Sequence, residues 1–368
     1  MRKKLILITF GIVFGFLISE LILRLIFPLP DIQATRGMYI SDSTLAYRMR
    51  PNFSYLGESL NQFGFRGRNW DEDTEIRHIA FFGDSFTFGT GVDKYSFTFS
   101  KIIENELNKK NILDKKIEII NFGTPGYSTI QEKLLYENAK RSLFAKFNPE
   151  IVLLFFFLGN DAHDNATGNL FVQVIDGNLA TYRPSWVRLK LDPLLGKLEL
   201  YSWSRIIFRK LRSLWQKQHS KEEFNEVAQN DAFSMLRKDY VSRDPWKKGW
   251  LETAKTISLW KKSCDEDSKI FAIVMIPDLV QIDESLQLNI AKKNGISSEE
   301  YDTMLPNRKI TEIANTNGIP YLDLTPEMKR CSEPSRLYIP LDGHFSEEGH
   351  KIISQPVENF IATIIRNK

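Results

Sequence analysis

From residue 77 onward the chain repeats one texture, a short apolar run followed by a longer amphipathic stretch. The runs lie at 78–82, 117–120, 151–158, 270–276 and 319–324. They do not alternate polar with apolar positions, which is the pattern of parallel strands covered on both faces. Between them, 96–107 places Phe99, Ile102, Ile103 and Leu107 on one helical face, and 130–143 does the same with Leu134, Leu135 and Ala139. A last helix is predicted over 347–365. The alternation predicts an α/β fold, an open parallel sheet with right-handed crossovers.

Three stretches break the rhythm. At the amino terminus Arg2, Lys3 and Lys4 precede an apolar run over 5–26 interrupted by Glu20 and Arg24. Its length approaches the ~20 residues of a membrane-spanning helix, and basic residues before it orient the remainder outside the cytoplasm. Glu20 and Arg24, one turn apart, can pair at the outer interface. The bulky, proline-rich sequence Ile26-Phe-Pro-Leu-Pro30 offers no small-residue cleavage site, so residues 1–28 read as an uncleaved signal anchor rather than a removed signal peptide. Residues 29–75 read as an irregular lead-in before a domain over 76–368.

The third break is an insertion over about 164–265, which holds Trp186, Trp203, Trp215, Trp246, Trp250 and Trp260 of the seven tryptophans. Within it Leu200, Trp203, Ile207, Leu211 and Leu214 keep helical spacing among Arg205, Arg209, Lys210 and Arg212, the pattern of a basic amphipathic helix. Packing against the sheet is preferred for it over docking on anionic headgroups or polysaccharide.

Composition narrows the classes. With 368 residues, 42% hydrophobic and 26% charged, the chain has the material for a large core and is not chiefly disordered. A net charge of +3 is too small for a nucleic-acid partner held by phosphate neutralisation. Cys264 and Cys331 are too few for a disulfide scaffold or zinc ribbon; they can pair in an oxidising compartment or sit buried as small hydrophobes.

Candidate chemistry sits where the predicted strands end. The first strand runs directly into Gly83-Asp-Ser-Phe-Thr-Phe-Gly89, which puts Ser85 at the carboxyl edge where open α/β sheets bind ligands. This stretch lacks the Gly-Lys-[Ser/Thr] of a phosphate loop. After the second strand comes Asn121-Phe-Gly-Thr-Pro-Gly126, a turn able to aim a backbone N–H. After the third comes Gly159-Asn160-Asp161 with a side-chain amide, and near the carboxyl terminus Asp342-Gly343-His344. A nucleophile, oxyanion donors and a carboxylate–histidine pair make a kit for acyl transfer. Asp84 reads as a brace for the turn, and His350 as structural. Asp161, His163 and Asp164 carry metal-ligand types, but no metal is assigned to them.

These blocks resemble the SGNH/GDSL hydrolases, whose Ser, Gly, Asn and His are found here as Ser85, Gly126, Asn160 and His344. Asn61-Gln-Phe-Gly-Phe-Arg66, Gly89-Thr-Gly-Val92 and Phe345-Ser-Glu-Glu-Gly-His350 resemble flanking segments of membrane-anchored bacterial members. The resemblance spans about 61–160 and 270–355. It implies a three-layer, flavodoxin-like sheet, no cofactor, Ser85 as nucleophile, His344 as base and then acid, and Asp342 as the orienting carboxylate. The N–H groups of Ser85 and Gly126 and the amide of Asn160 would hold the oxyanion. The family spacing is Asp-x-x-His, whereas here one residue separates the pair; an extended segment or a bend at Gly343 would let them converge. The implied activity is hydrolysis of short acyl esters, O-acetyl groups above all, on envelope or exported carbohydrate. Polysaccharide O-acetyltransfer, lipid ester hydrolysis and a non-catalytic envelope scaffold are the alternatives.

Overall fold

The computed structural model describes residues 2–26, 37–73, 75–110, 115–166, 172–175, 177–180, 233–339 and 342–367, with positions 195, 198, 200, 201, 203, 204 and 207 between them. Eleven strands form among these residues. In chain order they are β1 (Tyr39–Asp42), β2 (Ala46–Met49), β3 (Ser54–Tyr55), β4 (Glu58–Ser59), β5 (Arg77–Gly83), β6 (Ile117–Asn121), β7 (Ile151–Phe157), β8 (Gln173–Ile175), β9 (Asn178–Ala180), β10 (Ile270–Ile276) and β11 (Tyr321–Asp323). Five of them make the central sheet, in the order β6-β5-β7-β10-β11 and parallel throughout. All five predicted apolar runs are therefore strands of one sheet.

Successive strand residues feed two separate cores. Ala80, Phe82, Val152, Leu154, Phe156, Ile273 and Met275 face one side, under Leu135, Tyr136, Ala139, Ile257, Trp260, Ile310 and Ala314. Ile79, Phe81, Leu153, Phe155, Ala272 and Val274 face the other, under Phe99, Ile103, Leu107, Ile353, Val357 and Ile361. Helices Thr129–Ser142, Trp246–Glu266 and Leu305–Thr316 thus cover one face, and Phe99–Lys109 and Glu347–Arg366 the other. The connection order reverses between β5 and β7, the switch point at which such sheets open a crevice at their carboxyl edge.

Within the stretch read as an irregular lead-in, the hairpins β1–β2 and β3–β4 form, and Met38, Tyr39, Leu45, Tyr47, Met49, Tyr55, Leu60, Phe65 and Trp70 are all buried. This segment is part of the core. In the insertion, β8 pairs with β9, and Gly177 lies against Gly37 so closely that a Cβ there would fall 2.2 Å from the Gly37 Cα. Helix Trp246–Glu266 packs Trp250 and Trp260 inward. Of the expected basic amphipathic helix, Leu200, Trp203 and Ile207 are helical and with Leu23 line an apolar hollow of about 360 Å³. Arg205, Arg209, Lys210, Leu211, Arg212 and Leu214 lie outside the described residues.

The amino-terminal expectation finds no support. Arg2–Ile26 is helical and Arg24 Nε donates to Glu20 at 2.8 Å as anticipated, but among the described residues no helix is long and apolar enough to cross a membrane. The uncharged run between Lys4 and Glu20 rises only ~22 Å at ~1.5 Å per residue, short of a ~30 Å hydrocarbon core. Glu20 is moreover tied inward, accepting a hydrogen bond from the Leu200 amide at 2.9 Å. The signal-anchor reading is left without structural support.

Candidate active site

The turn after β5 is built around a position that tolerates only glycine. A Cβ on Gly83 would lie 2.1 Å from Thr87 Oγ1 and 3.0 Å from the Phe155 carbonyl. Asp84 then caps the short helix Ser85–Phe88, its Oδ1 accepting the Phe86 amide at 2.9 Å, and Gly89 closes the helix at φ +85. Because Asp84 does the capping, the Ser85 hydroxyl is left free for other use.

The hydroxyl meets a histidine. Ser85 Oγ donates to His344 Nε2 at 2.8 Å, and His344 Nδ1 donates to Asp342 Oδ1 at 2.5 Å. A carboxylate opposite Nδ1 holds the proton there, so Nε2 faces the hydroxyl as an acceptor. The hydrogen bond from His344 keeps the Asp342 carboxyl below the usual carboxylate range, against the upward pull of partial burial. The short Asp-x-His spacing works through a bend rather than extended alternation. Gly343 has φ +85, the Asp342 and Gly343 amides both donate to the Ile339 carbonyl, and Asp342 Oδ1 also accepts the His344 amide at 3.2 Å. Phe86 packs its ring 5.3 Å from the imidazole.

Gly126 and Asn160 stand at the same sheet edge. Register pairs Phe81 with Asn121 and Gly83 with Phe155, which brings the ends of β6 and β7 beside Ser85. The loop after β6 is strapped to the nucleophile turn, with the Thr124 amide donating to the Gly83 carbonyl at 3.0 Å and Asn121 Nδ2 to the Thr87 carbonyl at 2.8 Å. Gly126 is exposed with φ +78, and the Tyr47 hydroxyl donates to the neighbouring Pro125 carbonyl at 2.9 Å. Asn160 is exposed where β7 ends, and its carbonyl accepts the Asp164 amide at 2.8 Å.

Beneath this edge lie three buried acids, Asp84, Glu132 and Asp161. Burial pushes Asp84 up to about 6, against the downward pull of the Phe86 amide and His344. It raises Glu132 and Asp161 well above the carboxylate range, and the three acids repel one another's charge. Neither carboxyl oxygen of Glu132 has a hydrogen-bond partner among the described residues, whereas Asp161 Oδ2 accepts the Phe157 amide at 2.8 Å. Asp161, His163 and Asp164 do not converge on a metal, and no cluster of three such groups does so among the described residues. His350 is buried, accepts the Phe99 amide at Nδ1 and is held uncharged by desolvation, its pKa lowered to about 3. Cys264 and Cys331 are unpaired, and Cys264 is buried. Sequence reasoning passed over Tyr47 and gave Arg66 no role; Asn61, whose Oδ1 accepts the Phe63 and Phe65 amides, and Gly64 at φ +89 were the turn signals available there.

The sequence profile of GDSL-like lipases and acylhydrolases matches residues 79–241, a span that includes Ser85, Gly126 and Asn160. Over this stretch the chain matches the GDSL-like lipase/acylhydrolase family. Among curated proteins no sequence matches it. Solved structures similar to it include a lipase/acylhydrolase from Enterococcus faecalis, at 14% identity over 78% of this chain and 96% of that one, with a TM-score of 0.40. An acetyl xylan esterase, AlAXEase, is 15% identical over 76% of this chain and 97% of its own, with a TM-score of 0.39. TesA is 8% identical over 77% and 98%, with a TM-score of 0.41.

Proposed function

We propose that this protein is a GDSL-type hydrolase that cleaves carboxylic esters through an acyl-serine intermediate. The observation that carries the reading is the continuous chain from Ser85 Oγ through His344 to Asp342, at 2.8 and 2.5 Å. Ser85 Oγ attacks the ester carbonyl and gives its proton to His344 Nε2, while Asp342 stabilises the imidazolium. The oxyanion lies against the N–H groups of Ser85 and Gly126 and the side-chain amide of Asn160. Collapse expels the alcohol, which takes the proton from Nε2 and leaves an acyl group on Ser85. Water then attacks that ester with His344 again as base, releasing the acid and restoring the hydroxyl.

The substrate we propose is a short acyl ester, O-acetyl on carbohydrate, with water as acceptor. Support comes from the rim: Gly91, Gly126, Asn160, Asp342 and Gly343 are exposed, and all are polar or without a side chain. A long acyl chain needs apolar surface to gain about 0.8 kcal/mol per buried methylene. Chromogenic acetyl and long-chain esters should therefore separate, with acetyl turned over faster and Ser85→Ala inactive on both. Faster turnover of the long chain would overturn the substrate class, and activity retained in Ser85→Ala would overturn the mechanism.

A further inference from the structure

Arg66 lies outside the span matched to the family, yet it is 3% exposed and bound to the loop that follows the nucleophile. Its Nη1 donates to the Gly89 carbonyl, and its Nη2 donates to the carbonyls of Val92, at 2.6 Å, and Asp93, at 3.1 Å. The guanidinium sits between two rings, 5.0 Å from the centroid of Tyr55 and 5.3 Å from that of Phe88. Burial lowers its pKa, while Tyr55, Glu58, Tyr95 and Asp93 pull it back up, and a guanidinium stays charged in proteins. Three carbonyls on one planar fork fix a loop more rigidly than a lysine ammonium could.

The clamped loop has a second neighbour. Gly91, at φ +102, is so close to the histidine segment that a Cβ would fall 2.5 Å from Ile339 Cδ1, 2.8 Å from the Phe345 carbonyl and 3.5 Å from His344 Cβ. Ile339 in turn donates its amide to the His344 carbonyl at 2.8 Å. One loop therefore touches the nucleophile helix at its beginning and the histidine segment at its middle, with Arg66 gripping both ends.

We propose that Arg66 is a positioning residue, which holds the 89–93 loop as the wall that keeps His344 in register with Ser85. It touches neither reacting atom. The inference rests on the acyl-serine reading, and it adds that the amino-terminal segment, rather than the sheet alone, sets the serine–histidine distance. Loss of the clamp should slow every step that needs proton transfer and leave substrate binding unchanged.

The test is covalent labelling of the full chain by a small fluorophosphonate, alongside kcat and KM on a short ester, for wild type, Arg66→Ala, Arg66→Lys and Gly91→Ala. Arg66→Ala is expected to lose about 10- to 100-fold in labelling rate and kcat, with KM within about twofold. Arg66→Lys should recover only part of this, and millimolar guanidinium should raise Arg66→Ala selectively. Gly91→Ala keeps the clamp but forces the loop off the histidine segment, so it should show the same loss in kcat. Labelling of folded Arg66→Ala at the wild-type rate would overturn the proposal. If Arg66→Ala does not fold, Gly91→Ala labelled at the wild-type rate overturns it equally. Wild type that resists the probe altogether would instead sink the acyl-serine reading beneath it.

Discussion

Two sets of carboxyl groups flank the Ser85 turn, and they live in opposite environments. Asp342 is half exposed, takes two hydrogen bonds from His344 and is held charged. Asp84, Glu132 and Asp161 lie under the sheet edge, buried and pushed toward the neutral acid. Identical chemistry is thus divided by solvent and partners into a group that tunes the histidine and groups that fill a polar floor. The difference predicts that substitutions on the two sides will be read by different instruments, one by rate and the other by stability against pH.

The largest effects belong to the exposed side. Ser85→Ala and His344→Ala are expected to lower kcat by more than about 10³-fold in steady-state ester hydrolysis, with melting temperatures unchanged, because their chain to Asp342 acts as a unit. Asn160→Ala should lose about 10²–10³-fold, chiefly in kcat, if its amide is the oxyanion donor proposed above. A loss confined to KM would mean that Asn160 binds the ground state instead.

Asp342→Asn sharpens the contrast. It removes the partner that fixes the Nδ1 proton, but water reaches this half-exposed site, so the expected loss is about 10- to 100-fold rather than the larger loss of a fully buried partner. Its denaturation midpoint should match wild type. An activity unchanged by Asp342→Asn would show that the backbone alone orients His344.

The smallest effects belong to the buried side, and their sign follows from the raised pKa. The folded state holds the Asp84 proton more tightly than the unfolded chain does, so that contribution to stability is complete below about pH 4 and lost as pH rises to about 6. Asp84→Asn should remove it, on the order of 2 kcal/mol of pH dependence across that window. Glu132→Gln should likewise flatten the rise in stability that wild type shows on acidification, and turnover should change by no more than a few fold. Denaturant midpoints at pH 4, 6 and 8 read both. A steeper pH dependence in either variant would mean that these acids are paired and charged.

How much of this was legible varies with the kind of physics involved. The five sheet strands announce themselves because burial on both faces demands unbroken apolar runs, and the long helices because their apolar faces recur at helical spacing. Ser85, His344 and Asp342 were legible as types at strand ends, but the bend that joins the last two depends on the positive φ of Gly343, which only a folded backbone reveals. The short strands of the lead-in leave no sequence signal for a different reason. Strands of two to four residues carry too short a pattern, and what stabilises β1–β4 is tertiary: the Tyr39, Tyr47 and Tyr127 rings stack edge to face, and Tyr127 donates its hydroxyl to the Tyr47 carbonyl. Arg66 was hidden by the same fact, since its carbonyl partners lie more than twenty residues away. The amino-terminal run reads as apolar along the sequence, whereas the hydrogen bond from the Leu200 amide to Glu20 joins residues 180 positions apart and leaves no local signal.

Ser85 is expected to carry the acyl group during turnover. Mixing the full chain with a chromogenic acetyl ester, quenching in acid within the first turnover and mapping the peptides tests it directly. One acetyl group per chain is expected on the peptide bearing Ser85, absent in Ser85→Ala and slower to form in His344→Ala. Turnover without any acetylated peptide, or acetyl found on another residue at the turnover rate, would contradict it.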